Sequence, residues 1–410
     1  MSRYKAYPEY KDSGLQWLGQ IPAHWELVQS RRLFAQRKER ARQGDEQLTA
    51  SQKYGVIYQK LFMELEGQSV VQVFTGTDIL KHVEKNDFVI SMRSFQGGLE
   101  LCSYPGCVSS AYVGLIPIKN VRPEFFKYLF KCLPYIQALQ STSNLVRDGQ
   151  ALRFENFSQV HLPCIPDDEQ KKLAAFLNHE TAKIDALIER QQRLIELLKE
   201  KRLSLVHYAT KEAPEVRLEN CARLISRPIS NCSDELLTPI GIYNRGRGIF
   251  HKDESLPCDL GDSDFFSIKE NDLIFSGQFA WEGAVALADS NDDGCIASHR
   301  YPMLTGIDGL LSTSYLWAFF TSQRGDFLLG ENSRGAAGRN RPLNMNSLMK
   351  EKIPLPNFED QLAVSKVVYQ ERIISERVAT VIATLQERRT ALISAAVTGK
   401  IDVRDWQATA

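Results

Sequence analysis

Apolar residues recur every seven positions in two long segments, one in the middle of the chain and one near its C-terminal end. This spacing predicts two amphipathic α-helices whose apolar stripes can form a coiled coil. Pro166 and Asp167 give a start signal for the first helix and Pro214 a stop signal, so we expect about 40 residues and a length of about 60 Å. Gly399 is expected to end the second helix. The residues predicted to pair the helices are Leu177, Ile184, Leu187, Gln191, Leu194, Leu198, Leu205, Val364, Val367, Ile374, Val378, Val381, Leu385 and Leu392.

The predicted seam contains two polar residues, Gln191 and Glu371, which would fix the register of a coiled coil at some cost in stability. Ile188 and Ile195 flank the seam of the first helix. The pattern leaves two interpretations open, because each helix could pack on its own domain or the two could pack on each other. We favour mutual pairing, since both seams belong to repeated parts of the chain.

The chain contains an internal repeat. Residues 152–173 align with residues 343–364 at a constant shift of 191 positions, and both segments end in an acidic residue and a glutamine before a helix. The segment VEKNDFVIS at 83–91 likewise resembles IKENDLIFS at 268–276. We therefore interpret the chain as two versions of one module, each ending in a long helix.

Ahead of each long helix lie short β-branched runs separated by turn signals, which predict strands. Short helices are expected between them, for instance at 123–133 and 312–323. The predicted fold class is α+β, with two homologous domains of mixed α/β structure, β-rich in the centre, separated by the two long helices. The predicted strands cover 54–58, 69–74, 87–91, 113–118, 272–277 and 283–289.

Composition limits the possible functions. A chain of 410 residues is expected to form at least two globular units, and its 50 basic and 50 acidic residues give no overall charge for binding nucleic acid. The eight cysteines include no C-x-x-C pair, which favours buried free thiols over a metal site. We expect a soluble, cytoplasmic protein, because the start has no apolar signal region and no stretch is long and apolar enough to span a membrane.

Known catalytic motifs are not found in the sequence. The segment PDDEQK at 166–171 has the letters of a nuclease signature, but its acidic residues lie on one helix start instead of on separate strands around a metal. The sequence GKI at 399–401 lacks the glycine and hydroxyl residues of a phosphate loop. No catalytic triad can be assigned from the seven scattered histidines. We therefore expect no catalytic residues in this chain.

Local charge points to nucleic acid. The loop at 332–341 combines arginine, asparagine and glycine, side chains suited to phosphates and base edges, and the polar loop at 143–153 occupies the equivalent place in the first module. Ordinary solvated loops remain an equally open interpretation of any one residue. The stretch 250–295 is acidic, and we expect it to face away from phosphates. The candidate DNA-binding residues are Arg93, Gln96, Arg147, Gln150, Arg153, Arg245, Arg247, Gln278, Arg334, Arg339, Asn340 and Arg341.

Three segments resemble the specificity subunit of type I restriction-modification systems. They are YPEYKDSGLQWLGQIPAHWEL near the start, IPDDEQKKLAAFLNHETAKIDALIERQQRLIELLKEKR in the centre, and LPNFEDQLAVSKVV with TALISAAVTGKIDVRDW at the end. The resemblance implies a non-catalytic subunit with two target-recognition domains, each of which reads one half of a gapped DNA sequence. It also implies that the two long helices pair antiparallel and set the spacing.

The same resemblance implies domain bounds and partners. It divides the chain into an N-terminal arm (1–21), a first recognition domain (22–160), a central helix (161–211), a second recognition domain (212–352) and a C-terminal helix with its tail (353–410). Two modification subunits carrying S-adenosylmethionine would methylate adenine, and motor-nuclease restriction subunits would use ATP and Mg²⁺. This chain itself would bind double-stranded DNA in a prokaryotic cytoplasm and would hold no cofactor or metal.

The sequence leaves three alternatives to a type I specificity subunit. A specificity subunit of a type IIB system would show a similar repeat but a fused methylase-nuclease partner. A coiled-coil scaffold without a role on DNA is a further alternative. An enzyme is disfavoured by the missing catalytic motifs.

Overall fold

The computed structural model describes residues 4–67, 69, 79–118, 120–143, 152–229, 235–260, 263–335 and 341–408. The chain divides into two compact units, which are described separately below. Unit 1 consists of Met1–Glu189 and Val381–Ala410, and unit 2 consists of Arg190–Thr380. No helix among the described residues is long and apolar enough to cross a membrane.

Unit 1 contains short strands and helices ahead of a long helix. Its strands are β1 Tyr10–Asp12, β2 Gln20–Pro22, β3 Glu26–Gln29, β4 Phe34–Arg37, β5 Leu48–Ser51, β6 Gly55–Tyr58, β7 Lys81–Val83, β8 Phe88–Ile90, β9 Glu100–Leu101, β10 Gly106–Val108, β11 Val113–Pro117 and β12 His161–Cys164. Its helices are α1 Gln59–Glu66, α2 Ser94–Gly97, α3 Pro123–Leu129, α4 Leu133–Gln140, α5 Phe154–Gln159, the first part of α6 Asp167–Thr210 and the last part of α10 Phe358–Val397.

Unit 2 follows the same order of elements. Its strands are β13 Glu215–Arg217, β14 Ala222–Ile225, β15 Ile240–Ile242, β16 Ile249–His251, β17 Phe265–Ser267, β18 Leu273–Phe275, β19 Val285–Leu287, β20 Ile296–Ser298, β21 Met303–Gly306 and β22 Lys352–Pro354. Its helices are α7 Thr313–Phe320, α8 Gln323–Glu331, α9 Met345–Leu348, the last part of α6, and the first part of α10 Phe358–Val397.

The sheet topology confirms the internal repeat. Unit 1 contains an antiparallel four-stranded sheet in the order β4-β11-β8-β9, and unit 2 contains the equivalent order β14-β21-β18-β19. The two-stranded pairs β3–β12 and β7–β10 of unit 1 recur as β13–β22 and β17–β20 in unit 2. The α+β fold class with two homologous domains is thus confirmed. The strand expected at 69–74 lies outside the described residues apart from Ser69.

The same turn precedes β8 and β18 in the two sheets. Asn86 and Asn271 adopt positive φ angles of 75° and 69°, a conformation that asparagine tolerates better than most residues. The aspartate that follows each asparagine is buried and accepts two hydrogen bonds from an arginine guanidinium. Arg37 lies 2.5 and 3.2 Å from Asp87, and Arg227 lies 2.5 and 3.0 Å from Asp272. The two units therefore share an ion pair between an arginine and a buried aspartate, as well as the order of their strands.

Each unit has an aromatic core between its four-stranded sheet and its short helices. In unit 1 the ring of Phe34 lies within 5.8 Å of the rings of Phe88, Phe126, Phe130 and Phe157. Such edge-on and tilted ring pairs contribute about 0.5–1.5 kcal/mol each beyond their buried area. In unit 2 the rings of Phe275 on β18 and Phe320 on α7 lie 5.2 Å apart.

The long helices pack on each other within each unit. In unit 1 Arg389 of α10 donates to Asp185 of α6 at 3.0 Å, and Lys172 donates to the backbone carbonyl of Arg404. The pairing is antiparallel, because the earlier residue of α6 meets the later residue of the C-terminal segment. The prediction of mutual pairing is therefore confirmed for this unit.

In unit 2 Arg202 of α6 donates to Glu371 of α10 at 2.8 Å, and both side chains are buried. Val206 packs in one core with Val364 and Val368, so this pairing is antiparallel too. Glu371, predicted as a polar seam residue, is held by the charged partner that a buried carboxylate requires.

Three predicted seam residues need correction. Leu187, Leu194 and Val381 are 43%, 40% and 43% exposed, so they lie outside the seam. The less exposed positions on α6 are Ile188 and Ile195, which the sequence placed at the flank. The heptad pattern offers an apolar residue both three and four positions after Ile184, and periodicity alone does not choose between them.

The other predicted seam residues are less exposed. Six of them are buried: Leu177, Ile184, Val364, Val367, Val378 and Leu392. The remaining five are partly buried: Gln191, Leu198, Leu205, Ile374 and Leu385.

The glutamines aligned by the repeat, Gln170 and Gln361, make equivalent contacts. The Gln170 amide donates to the carbonyls of Asn120 and Ile165 at 3.0 and 2.8 Å, and its oxygen accepts from the Arg122 backbone at 3.0 Å. The Gln361 amide donates to the carbonyls of Leu310 and Pro356 at 3.0 and 2.9 Å, and its oxygen accepts from the Ser312 backbone at 2.9 Å. Each glutamine thereby fixes the loop before α3 or α7 to the start of a long helix.

Replacing Gln361 with alanine is expected to lower the free energy of unfolding by about 2–3 kcal/mol, because buried backbone groups lose their partners. Urea unfolding followed by circular dichroism would measure the loss. Gln370→Ala, at an exposed position of the same helix, is the matched control and should change stability by less than about 0.5 kcal/mol. Equal stability of the two variants would contradict the assigned role of Gln361.

Candidate nucleic-acid interface

Two loops of unit 2 meet beside the end of β18. The backbone N–H of Arg245 donates to the carbonyl of Glu282 at 2.9 Å, and that of Gly246 donates to the carbonyl of Gly283 at 2.7 Å. Gly283 has a φ of +71°, and a β-carbon there would lie 3.2 Å from the α-carbon of Arg245. A glycine is therefore required for this close approach.

Trp281 is an aromatic residue at the point where these two loops of unit 2 meet. Its indole nitrogen donates to the carbonyl of Gln278 at 3.2 Å, and the Arg341 guanidinium lies 4.9 Å from the ring centroid. Arg245, Arg247 and Trp281 also line a cavity of about 1010 Å³ in this unit. We call Arg245, Arg247, Gln278, Trp281 and Arg341 the basic surface of unit 2.

The arginines of this surface differ from the structural arginines in their partners. Among the described residues, Arg245, Arg247 and Arg341 form no ion pair with a carboxylate. Arg247 is held by its own loop, since its Nε donates to the Asn244 carbonyl at 3.0 Å and its guanidinium lies 5.1 Å from the Tyr243 ring centroid. Their charges are therefore available to phosphates or base edges.

Arg202 lines the same cavity but has a structural role. It is bound to Glu371, and its guanidinium lies 4.7 Å from the Trp317 ring centroid. Glu282 and Asp326 also line the cavity, and burial raises the pKa of the Asp326 carboxyl. Besides the loop arginines, Lys199 of α6 contributes positive charge to the lining of the cavity. We do not count Arg202 among the residues that contact a ligand.

The equivalent place in unit 1 is the turn after β8. Arg93 and Gln96 lie there, at the start and within α2, and both are exposed. The turn is fixed from inside, because Ser91 and Ser94 are buried and Gln140 donates to the Phe95 carbonyl at 2.6 Å. Polar residues of both units thus follow equivalent strands of the repeated sheet.

Arg153 and Arg334 lie elsewhere in their units. Arg153 is exposed at the N-terminus of α5. Among the described residues, no hydrogen bond or ion pair joins it to Arg93 or Gln96. Arg334 is exposed and pairs with Glu331 at 3.1 Å. Four predicted residues lie outside the described part of the chain: Arg147, Gln150, Arg339 and Asn340.

Two acids of the stretch at 250–295 are buried. Asp272 pairs with Arg227, and Asp292 lies 2.8 Å from His251. These two acids therefore have structural roles and do not present their charge at the surface, and the expectation that the stretch faces away from phosphates stays a prediction.

Trp281 was not predicted from the sequence. A lone tryptophan in a loop carries no periodic signal, and its contact with Arg341 joins residues 60 positions apart. The sequence signal available for Trp281 was its position in the loop after β18, the strand that the repeat aligns with β8.

Neither a metal centre nor a disulfide occurs among the described residues. No group of three or more metal-ligating side chains is present there. Six cysteines among the described residues are free thiols, and five of them are buried.

Comparison with protein families identifies a class for the first part of the chain. Residues 22–197 match the family described as type I restriction modification DNA specificity domain. The resemblance predicted from the sequence is thereby confirmed, and residues 22–197 form a domain of this family.

Solved structures extend the likeness of fold along the chain. A structure described as revealing complex assembly and conformational transition of the type I restriction-modification system matches with a TM-score of 0.52 and 15% identity, over 92% of this chain and 98% of that chain. The HsdS subunit from Thermoanaerobacter tengcongensis matches with a TM-score of 0.47 and 14% identity, over 93% of this chain and 98% of that one. The type I S subunit from M. genitalium matches with a TM-score of 0.47 and 14% identity, over 91% and 96%. No curated protein sequence matches significantly.

Proposed function

We propose that the chain is the DNA sequence-specificity subunit of a type I restriction-modification complex and reads a gapped target in two halves. The observation that carries the proposal is the repeated sheet, whose equivalent strands β8 and β18 are followed in both units by exposed polar residues. Two homologous readers in one chain suit a bipartite site on duplex DNA. The family match at 22–197 supports the same conclusion.

The proposed division of labour follows the predicted domain bounds. Residues 22–160 read one half-site and residues 212–352 read the other. The exposed loop arginines bind phosphates and base edges, while the buried Arg37–Asp87 and Arg227–Asp272 pairs hold the sheets. Since the loops of the two units differ in sequence, we expect the two half-sites to differ.

The partners in this proposal are two modification subunits and the restriction subunits. The modification subunits dock on the long helices, and an apolar stripe in unit 2 supports this. Phe358, Leu362 and Tyr369 are exposed on α10 at a spacing that places them on one helix face. Such a stripe suits the apolar face of another helix. S-adenosylmethionine would be bound by the modification subunits, ATP and Mg²⁺ by the restriction subunits, and the chain would act on DNA in a prokaryotic cytoplasm.

Replacing Arg341 with alanine is expected to weaken recognition of the half-site read by residues 212–352 by about 5- to 150-fold, the cost of one lost base or phosphate contact. Arg93→Ala should affect the other half-site. Sequencing of methylated adenines in cells that express each variant with its modification subunits would show which half of the target is relaxed.

Lys350→Ala is the matched control for these variants. Lys350 is exposed in unit 2 and lies outside the basic surface, so its replacement should leave both half-sites unchanged. Equal relaxation of both half-sites by Arg341→Ala would contradict the assignment of one domain to each half. Absence of sequence-dependent methylation with the wild-type chain would overturn the proposed function itself.

A further inference from the structure

A second basic feature of unit 2 lies beside Gln278, and Arg334 is the residue of its lining that was a candidate from the sequence. It is a groove of about 510 Å³, and its polar side chains come from His299, Arg300, Arg334, Asn344 and Asn346. None of the described residues that line it is acidic. We call this feature the anion groove.

Arg300 carries the free charge of the groove. It is exposed, and neither an ion pair nor a side-chain hydrogen bond joins it to another described residue. Arg334, by contrast, is partly neutralised by Glu331 at 3.1 Å. A guanidinium that meets no internal carboxylate keeps its donors available for an external anion.

Backbone hydrogen bonds join the segments that line the groove to the loop that carries Gln278. The Gly277 N–H donates to the Arg300 carbonyl at 2.7 Å, and the Leu343 N–H donates to the Gly277 carbonyl at 2.8 Å. A β-carbon on Gly277 would lie 2.7 Å from the Arg300 carbonyl oxygen, so the two segments meet without room for a side chain. Gln278, a candidate base contact, follows directly in the chain.

We propose that His299 and Arg300 bind a backbone phosphate of duplex DNA in the anion groove and thereby position the strand that Gln278 reads. The inference rests on the proposed function and adds a phosphate anchor to it. Arg300 supplies a guanidinium that can bind two phosphate oxygens, and His299 supplies a ring N–H donor. Phosphate contacts fix register without reading sequence, so the anchor should act equally on all DNA sequences.

The experiment is the salt dependence of DNA binding. The full chain, alone and with its modification subunits, is titrated against a labelled mixed-sequence duplex by fluorescence anisotropy at several salt concentrations. Arg300→Gln is expected to weaken binding to every sequence and to lower the slope of log affinity against log salt by about 0.9, the value for one lost phosphate contact. Arg300→Lys should keep the wild-type slope, and His299→Gln should weaken binding less than Arg300→Gln does.

Lys350→Gln is the matched control and should leave the slope unchanged. A wild-type slope and affinity in Arg300→Gln would overturn the anchor while leaving the proposed function intact. Failure of the wild-type chain to bind duplex DNA in either form would instead overturn the proposed function. If Arg300→Gln does not fold, Arg300→Met, which also removes the charge and keeps an unbranched side chain, tests the same contact, and an unchanged slope there would also overturn the anchor.

Discussion

Replacing Glu169 with alanine is expected to lower the free energy of unfolding of unit 1 by about 2–6 kcal/mol, because two buried hydrogen-bond donors lose their acceptor. The Glu169 carboxylate is buried at the start of α6. One oxygen accepts from the Tyr7 hydroxyl at 2.6 Å and from the Trp25 indole at 3.0 Å. The other lies 2.7 Å from Nε2 of His24. Three side chains of the N-terminal segment thus depend on one acceptor.

The Tyr7 hydroxyl stays protonated when it is buried, so it needs the Glu169 carboxylate as a hydrogen-bond acceptor. Burial raises the pKa of the Tyr7 hydroxyl, and the neighbouring Glu169 carboxylate raises it further. The neutral hydroxyl donates a hydrogen bond to the Glu169 carboxylate in the folded chain. Without Glu169, the Tyr7 and Trp25 donors remain buried without an acceptor, which costs about 1–3 kcal/mol for each.

The repeat supplies a matched control for this prediction. Asp360 aligns with Glu169, but the partner of its side chain among the described residues is the nearby Asn357 amide, which donates to it at 2.8 Å. Asp360→Ala should therefore cost about 0.5–1 kcal/mol. Urea unfolding followed by tryptophan fluorescence can compare the two variants, because both units contain tryptophans. A cost below about 1 kcal/mol for Glu169→Ala would show that the network is not required.

Glu169 also shows what the sequence could and could not predict. The pattern of an acidic residue and a glutamine before a helix aligned Glu169 with Asp360 and Gln170 with Gln361. The glutamines do share their contacts, because local loops supply their partners. The acids do not, because the partners of Glu169 come from the N-terminal segment, more than 140 positions away. A repeat predicts local contacts better than distant ones.

The candidate site follows the same rule. Arg93, Gln96 and Gln278 were among the candidates from the sequence, and each lies in the turn that follows β8 or β18. The contact of Arg341 with Trp281 and the place of Arg300 in the anion groove were not predicted, since each depends on segments that are far apart in the sequence and close in the fold. The phase of the α6 seam was misjudged at Leu187 and Leu194 for a related reason: which apolar stripe is covered depends on the surface that packs against it.

Adding seven residues to each long helix is expected to lengthen the gap between the two half-sites by about three base pairs while their letters stay the same. A heptad adds about 10 Å of helix and preserves the 3.5-residue period of the seam, and about 10 Å corresponds to three base-pair steps of about 3.4 Å. The insertions would duplicate residues 183–189 in α6 and 374–380 in α10, at the borders between the two units. Mapping of methylated adenines in cells that express the variant with its modification subunits would give both the gap and the letters.

The experiment distinguishes helices that set the distance between the half-sites from helices that support the loops that read the letters. If the paired helices set the distance between the half-sites, as proposed, only the gap responds, because the basic surface and the anion groove remain within their unit. A seven-residue insertion after Gly309 is the matched control, since this exposed glycine has a φ of +73° and open space around it. That insertion should leave the gap unchanged. Altered letters at a constant gap in the helix variant would mean that the helices support the reading loops and do not act as the spacer.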